Sequence, residues 1–187
     1  EAADMIRLCN YDWAAKKAQD GDYDGAIALY EALGDYKDSA QKISEVRTMK
    51  AQALASTGAL DNLQSAAVIY AELGDEESLA ATQYQQAALL LENQQYTEAR
   101  EIFAALGTYK DAATQLKACD YAIALQKKEA GQLDEAATLL ESISGYSDAD
   151  EQLKIVRYTQ GEKAVADSLS LAAAQFFTQA GDYCDAA

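Results

Sequence analysis

The feature that most constrains the fold of this chain is an internal repeat of about 37 residues. A phrase of the type Leu-Gly-Asp-Tyr-Lys-Asp-Ala recurs five times, at residues 33–40, 73–80, 106–113, 143–150 and 180–187. Small residues recur between these phrases at spacings of 37, 36, 37 and 37, namely Ala14, Ala51, Ala87, Ala124 and Gly161. A fixed period of this size is typical of arrays in which one supersecondary unit stacks on the next.

Each repeat has the pattern of two helices. Apolar residues fall at helical spacing in a long first stretch, such as residues 36–57, and in a short second stretch, such as residues 23–33. The chain contains no proline, and glycine follows many of the predicted helices, as expected of helix C-termini. Asp35 and Asp38 have the spacing of a helix-capping pair at the start of the long stretch. The sequence therefore predicts an all-α protein.

The second repeat departs from the common spacing. The alanines of the short helices are separated by 40, 33, 37 and 37 residues, namely Ala26, Ala66, Ala99, Ala136 and Ala173. We place about three extra residues in the turn near residues 61–65, and we expect the next long helix to be four residues shorter. Four residues is close to one helical turn, so the buried face would be retained.

A pair of helices cannot bury its apolar faces alone, so the repeats are expected to stack. This predicts one repeat domain over residues 1–187, an α-solenoid of five antiparallel helical hairpins at about 1–34, 35–74, 75–107, 108–144 and 145–181. The chain opens just inside a first helix, and residues 183–187 look like the start of another, so we interpret it as cut from a longer array. Neither end has a polar capping repeat, which predicts an uncovered apolar edge at one or both ends and self-association through it.

These features resemble the tetratricopeptide repeat family over nearly the whole chain. The resemblance lies in the small residue of the first helix, in turns such as Gly21-Asp22-Tyr23, and in an alanine followed by an aromatic residue in the second helix, as in Ala99 with Phe103. The period of about 37 residues and the Gly-Asp-Tyr-Lys-Asp phrase in place of a closing proline are departures. They are similar to a bacterial variant of the family, which implies a part of a membrane-anchored or cell-surface protein; the compartment is left open.

The resemblance implies a right-handed superhelix whose first helices line a concave groove for extended peptides. Carried over by register, the candidate peptide-binding residues are Tyr11, Thr48, Tyr84, Tyr121, Leu125 and Tyr158. The tyrosines among them offer ring faces and hydroxyl groups to a peptide. The same tyrosines also suit packing between repeats, because a residue present in nearly every repeat serves what every repeat shares. Both interpretations stay open at this point.

The chemistry of the chain argues against several classes of function. Histidine is absent, the three cysteines lie far apart, and no phosphate-binding glycine loop is present. A net charge of −16 makes nucleic acid a poor partner, and no apolar run is long enough for membrane insertion. We therefore predict no enzyme activity, no cofactor and no metal. The leading hypothesis is a scaffold that binds a protein or peptide, and the alternative is an architectural spacer or self-assembling stalk of a larger bacterial protein.

Overall fold

A computed structural model describes residues 1–184 of the chain, and every element in that range is helical. The prediction of an all-α protein is confirmed. Ten helices follow one another in the described range: α1 (Ala2–Gln19), α2 (Tyr23–Leu33), α3 (Ser39–Ser56), α4 (Leu60–Leu73), α5 (Glu76–Glu92), α6 (Tyr96–Leu106), α7 (Ala112–Glu129), α8 (Leu133–Ser142), α9 (Ala149–Ala166) and α10 (Ser170–Ala180). The expected start of another helix at residues 183–187 falls largely outside the described residues.

Long and short helices alternate along the chain. The first-type helices, with odd numbers, have 17 or 18 residues, and the second-type helices, with even numbers, have 10 to 14. The short helix predicted at residues 23–33 is found there. The long helix predicted from Tyr36 begins three residues later, at Ser39, because the preceding residues form turns.

The chain divides into two compact units, Glu1–Leu89 and Leu90–Ala187. In the first unit, α1 packs against α2, α2 against α3, and α3 against α4. In the second unit, the same consecutive packing runs from α6 to α10. Consecutive packing is what a helical repeat requires, because each helix covers the apolar face of the next. The prediction of a single repeat domain over residues 1–187 stays a prediction.

The small residues of the repeat lie at helix contacts. Ala14, Ala51, Ala87 and Ala124 are each 0% exposed, and Gly161 is also buried. A Cβ atom built on Gly161 would lie 2.5 Å from the Phe177 ring of α10. These positions are small because a larger side chain would keep the two helix axes apart.

The second repeat deviates in a different place from the one predicted. The turn before α4 has three residues, 57–59, like the other short turns, and residues 61–65 are helical. The three extra residues lengthen α4 to 14 residues. The compensating loss falls mostly in the linker after α4, which consists of Gly74 and Asp75 alone, whereas residues 34–38 and 107–111 form five-residue linkers. An additional turn of helix keeps the apolar face of α4 on its buried side. A longer connection between α3 and α4 would change the angle at which α4 enters the packing.

Candidate functional site

Tyr11, the first of the predicted binding residues, is half-buried on α1 and points at the linker before α3. Its hydroxyl group donates a hydrogen bond to the carboxylate of Asp38, the residue before α3. Its ring lies 5.4 Å from the Tyr30 ring and 6.2 Å from the Tyr36 ring, both in edge-to-face arrangements. The ammonium group of Lys37 lies 4.5 Å from the centre of the Tyr11 ring. Tyr11 therefore connects α1 to the start of the next first-type helix.

The second unit contains the same arrangement. The Tyr121 hydroxyl group donates to the carboxylate of Asp148, the residue before α9, and the Tyr121 ring lies 6.1 Å from that of Tyr146. Tyr158 on α9 lies 5.6 Å from Tyr183 in the next linker. We call this arrangement the tyrosine clasp. It consists of a first-helix tyrosine, a linker tyrosine, and the aspartate that precedes the next first-type helix.

Hydrogen bonding within the clasp changes the acidity of both partners. The bond to Asp38, together with partial burial and the negative charge of that carboxylate, raises the pKa of Tyr11 to about 12. The bond to Asp148, with the same secondary causes, raises the pKa of Tyr121 to about 12. In return, the tyrosine hydroxyl groups hold the pKa of Asp38 and of Asp148 below the ordinary value of an aspartate. The clasp therefore requires a neutral tyrosine and an ionised aspartate.

The backbone of the clasp linkers brings the aspartate to the tyrosine. The residue between the linker tyrosine and the aspartate has a left-handed backbone, with φ of 51° at Lys37 and 50° at Ser147. Residues other than glycine are disfavoured in this backbone conformation. Asp38, which the sequence suggested as part of a capping pair, makes no side-chain cap to α3. That expectation is wrong, because the carboxylate accepts the Tyr11 hydroxyl group instead.

Thr48 occupies the tyrosine position of α3, and its surroundings differ. The linker after α4 is Gly74 and Asp75, so it has no tyrosine. The Thr48 hydroxyl group donates to the backbone carbonyl of Ser44 in its own helix, at 3.0 Å. Asp75 accepts a hydrogen bond from the backbone N–H of Ser78 at 3.1 Å, as a helix-capping residue does. Within the first unit, the clasp is thus present at the long linker and absent at the short one.

A surface depression of about 290 Å³ lies among α3, α4 and α5, in the repeat that lacks the clasp. We call it the α3–α5 depression; its lining residues are Gln52, Ala55, Ser56, Tyr70, Ser78, Ala81, Thr82 and Gln85. Six of the eight lining residues carry an amide or a hydroxyl group, and no charged side chain contributes to the lining. The Gln52 and Gln85 side chains are exposed, so their amides are accessible to a ligand.

All six predicted binding residues are half-buried on first-type helices. The structure places Tyr11, Tyr121 and Tyr158 against linker residues, while Tyr84 and Leu125 lie on α5 and α7. None of the six lines the α3–α5 depression. Their role in peptide binding stays a prediction. The depression itself was missed, although the 40- and 33-residue spacings around Ala66 marked the repeat in which it occurs.

Polar pairs join second-type helices to the first-type helices that follow them. Arg100 forms an ion pair with Asp120, whose side chain is only 9% exposed. A buried carboxylate of this kind requires such a partner. Beside it, burial raises the pKa of the Cys119 thiol to about 11, so that the thiol is neutral and unreactive near neutral pH.

Two other kinds of site are absent from residues 1–184. No group of three or more His, Cys, Asp or Glu side chains in that range is arranged to hold a metal ion. No helix in the same range has both the length and the apolar character required to cross a membrane.

Comparison with known proteins does not place the chain in a family. No family model, no curated protein and no solved structure matches it. The case for its function therefore depends on its own residues and their geometry.

Proposed function

We propose that this chain is a non-enzymatic helical-repeat module of the tetratricopeptide type, with helices paired as antiparallel hairpins, that binds an extended peptide in the α3–α5 depression. The observation that carries the proposal is an open space of about 290 Å³, lined by neutral polar groups, in the repeat that lacks the clasp. Turns of three residues between α1 and α2 and between α3 and α4 favour the hairpin pairing, since short connections make neighbouring helices antiparallel.

The lining of the depression suits a peptide backbone. A peptide offers one N–H and one C=O group per residue, and both need hydrogen-bond partners when they are removed from water. The amides of Gln52 and Gln85 each supply donors and an acceptor. The hydroxyl groups of Ser56 and Ser78 donate to Ala53 and Asp75, so their oxygens supply acceptors.

The charge around the depression favours a basic peptide. Residues 51–99 contain no Lys or Arg and seven Asp or Glu residues. Three of the seven, Asp75, Glu76 and Glu77, stand at the start of α5, close in sequence to the lining residue Ser78. A surface whose electrostatic potential has one sign raises the local concentration of an oppositely charged ligand and speeds its association.

The test is selection of peptides from a random display library on the immobilised chain, followed by measurement of their affinity by calorimetry. We expect basic sequences, and we expect Ala81→Arg, which fills the depression and adds a like charge, to weaken their binding at least about tenfold. Ala104→Arg is the matched control, because Ala104 is exposed on α6 and lies outside the depression. Equal affinity for the wild type and Ala81→Arg contradicts the proposal, as does a selection that yields no binding sequence.

An architectural role is the second candidate, and one observation favours it. Large apolar side chains are exposed on α1 and at the start of α10, with Trp13 at 56% and Leu171 at 76%. The predicted apolar edges are therefore present. Exposed large apolar side chains can take part in association between proteins.

A further inference from the structure

Two of the contacts between a first-type helix and the second-type helix before it share the same register. In both, the residue immediately before the small residue of the first-type helix contacts the second residue of the preceding helix. Lys50 forms an ion pair with Asp24 at 2.6 Å in this way, where α3 meets α2. Gln160 donates a hydrogen bond to Asp134 at 2.6 Å in the same way, where α9 meets α8.

The two ends of the described chain place apolar residues at these same two positions. Trp13 precedes the small residue Ala14 of α1, and Leu171 is the second residue of α10. Both side chains are largely exposed, at 56% and 76%. A polar pair at an internal contact is thus replaced by one apolar residue at each end.

The rest of the α1 face also matches an internal face that is covered. Five residues before the small residue, Val156 of α9 and Cys119 of α7 are 0% exposed, whereas Cys9 of α1 is exposed. Ala149 at the start of α9 is 0% exposed, whereas its equivalent Ala2 is exposed. In α9 it is the preceding helix α8 that packs against this face.

The α10 face shows the complementary property. Ala137, the fifth residue of α8, is 1% exposed beneath α9, whereas its equivalent Ala174 is exposed. A shallow depression of about 460 Å³ runs along this side of α10, lined by Ala174, Gln175, Thr178 and Gln179. Its position corresponds to that of a first-type helix on α8.

Charge distinguishes the end faces from three of the internal contacts. Three contacts of this kind carry a charged pair: Lys50 with Asp24, Arg100 with Asp120, and Arg157 with Glu141. The helices α4 and α5 form no such pair, because neither contains Lys or Arg. On α1 the positions of Lys50 and Arg157 are held by Trp13 and Asn10, and on α10 those of Asp24 and Glu141 are held by Leu171 and Thr178. Both members of each pair are uncharged, so the two end faces suit each other.

We propose that α10 of one copy of this chain packs against α1 of a second copy, head to tail, with Leu171 against Trp13. The two faces differ, so the contact is heterologous and open-ended, and each copy added presents another free face. The net charge of −16 opposes association, and salt screens that repulsion while leaving the apolar contact intact, so association strengthens with ionic strength. The α3–α5 depression has no part in this contact, and either proposal can fail without the other.

The first measurement is sedimentation velocity of the 187-residue chain over a range of concentrations, with tryptophan fluorescence recorded on the same samples. Trp13 is the only tryptophan, so its emission reports on the α1 face alone. We expect the mean mass to rise with concentration, and the Trp13 emission to move to shorter wavelength over the same range as the ring leaves water.

The variants Trp13→Glu and Leu171→Glu each remove one face. Either alone is expected to keep the chain monomeric by weakening the contact about thirtyfold or more, as for a central interface residue. An equimolar mixture of the two has one intact pair of faces, so it forms a one-to-one dimer and nothing larger. Val68→Glu is the matched control, because Val68 is 55% exposed on α4 and that variant is expected to associate like the wild type.

The double variant Trp13→Lys with Leu171→Asp copies the Lys50–Asp24 pair onto the ends, and it is expected to associate in a salt-sensitive manner. A wild-type chain that stays monomeric up to its solubility limit overturns the proposal. Association that survives Leu171→Glu but not Trp13→Glu also overturns it, because that result means contact between two α1 faces.

Discussion

The two linkers of the first unit, residues 34–38 and residues 74–75, each connect a second-type helix to the next first-type helix, but they do so through different interactions. The longer one carries a tyrosine, a left-handed lysine and an aspartate that together hold Tyr11 of the preceding first-type helix. The shorter one uses a left-handed glycine and an aspartate that caps α5, and the helix position that would face it holds Thr48. Thr48 hydrogen-bonds only within its own helix in the contacts observed.

This difference bears on the role of the clasp tyrosines. The tyrosine is found where a long linker has to be held against the preceding helix, and it is replaced where the linker is short. Space for a ligand opens in the repeat without the clasp, at the α3–α5 depression. The contacts of Tyr11 and Tyr121 fit the packing interpretation, while their role in peptide binding stays a prediction. The repeat in which Thr48 replaces the tyrosine is the one in which we propose the peptide site.

The largest expected effect comes from removing a clasp tyrosine. Tyr11→Ala deletes a half-buried ring that packs on Tyr30 and Tyr36, and we expect a loss of about 2 kcal/mol in the free energy of unfolding. Thr48→Ala is the matched change at the short linker, and it is expected to stay within about 0.5 kcal/mol of the wild type. Urea unfolding followed by circular dichroism measures both. Equal losses for the two variants would show that the clasp contributes nothing of its own.

A smaller effect isolates the hydrogen bond of the clasp. Tyr121→Phe keeps the ring and removes the hydroxyl group that Asp148 accepts, with an expected loss of about 1 kcal/mol in the free energy of unfolding. In an Asp148→Asn background the same change is expected to cost clearly less, because the charged acceptor is already gone. Unfolding of all four proteins in urea gives the coupling. Additive losses are the contrary result.

Backbone strain also distinguishes the short linker at residues 74–75 from the clasp linker at residues 143–148. Gly74 has a φ of 69° and no atom within 4 Å of an added Cβ, so Gly74→Ala tests the left-handed backbone alone, with an expected cost of about 1 kcal/mol. Ser147 has a φ of 50° in a clasp linker, and Ser147→Gly is expected to stabilise by about 0.5 kcal/mol. Thermal unfolding monitors both. A change of the same sign at the two positions would contradict the assignment.

The smallest expected effect is the pH dependence of the stability that the clasp contributes. The pKa of Tyr11 and of Tyr121 is about 12 in the folded chain against an ordinary 10.0, so their contribution is complete below pH 10 and is lost as the pH rises through 12. The lowered pKa of Asp38 and Asp148 removes the same contribution as the pH falls below the ordinary 3.8. We expect the double variant Tyr11→Phe with Tyr121→Phe to lose stability less steeply between pH 10 and 12 than the wild type. Parallel curves in urea unfolding would exclude a role for the hydroxyl groups.

Much of the fold could be predicted because the period fixes it. The small residues at Ala14, Ala51 and Ala124 share a spacing, and their burial follows from the stacking that a repeat requires. The second repeat was harder to predict, because a three-residue excess in the spacing fits either a longer connection before α4 or a longer α4. The residues 61–65 continue α4, since one additional helical turn preserves its buried face.

The site was less accessible to sequence reasoning. Register placed Tyr11 and Tyr121 on first-type helices facing the next repeat, but the register alone does not say whether a ring meets a ligand or a linker. The answer depends on the path of residues 34–38 and 143–148, where left-handed residues turn the aspartate toward the tyrosine. Lys37 and Ser147 are not glycines, so their residue types do not indicate a left-handed conformation.

Close packing at the small residues is tested most directly by enlarging one of them and measuring the free energy of unfolding in urea. Ala124 is 0% exposed in α7, and Ala113 is exposed in the same helix, so Ala124→Leu and Ala113→Leu add the same atoms at a helix contact and in solvent. The stacked arrangement predicts a loss of about 1–3 kcal/mol for Ala124→Leu and almost none for Ala113→Leu. Ala124→Leu with the stability of the wild type would contradict it.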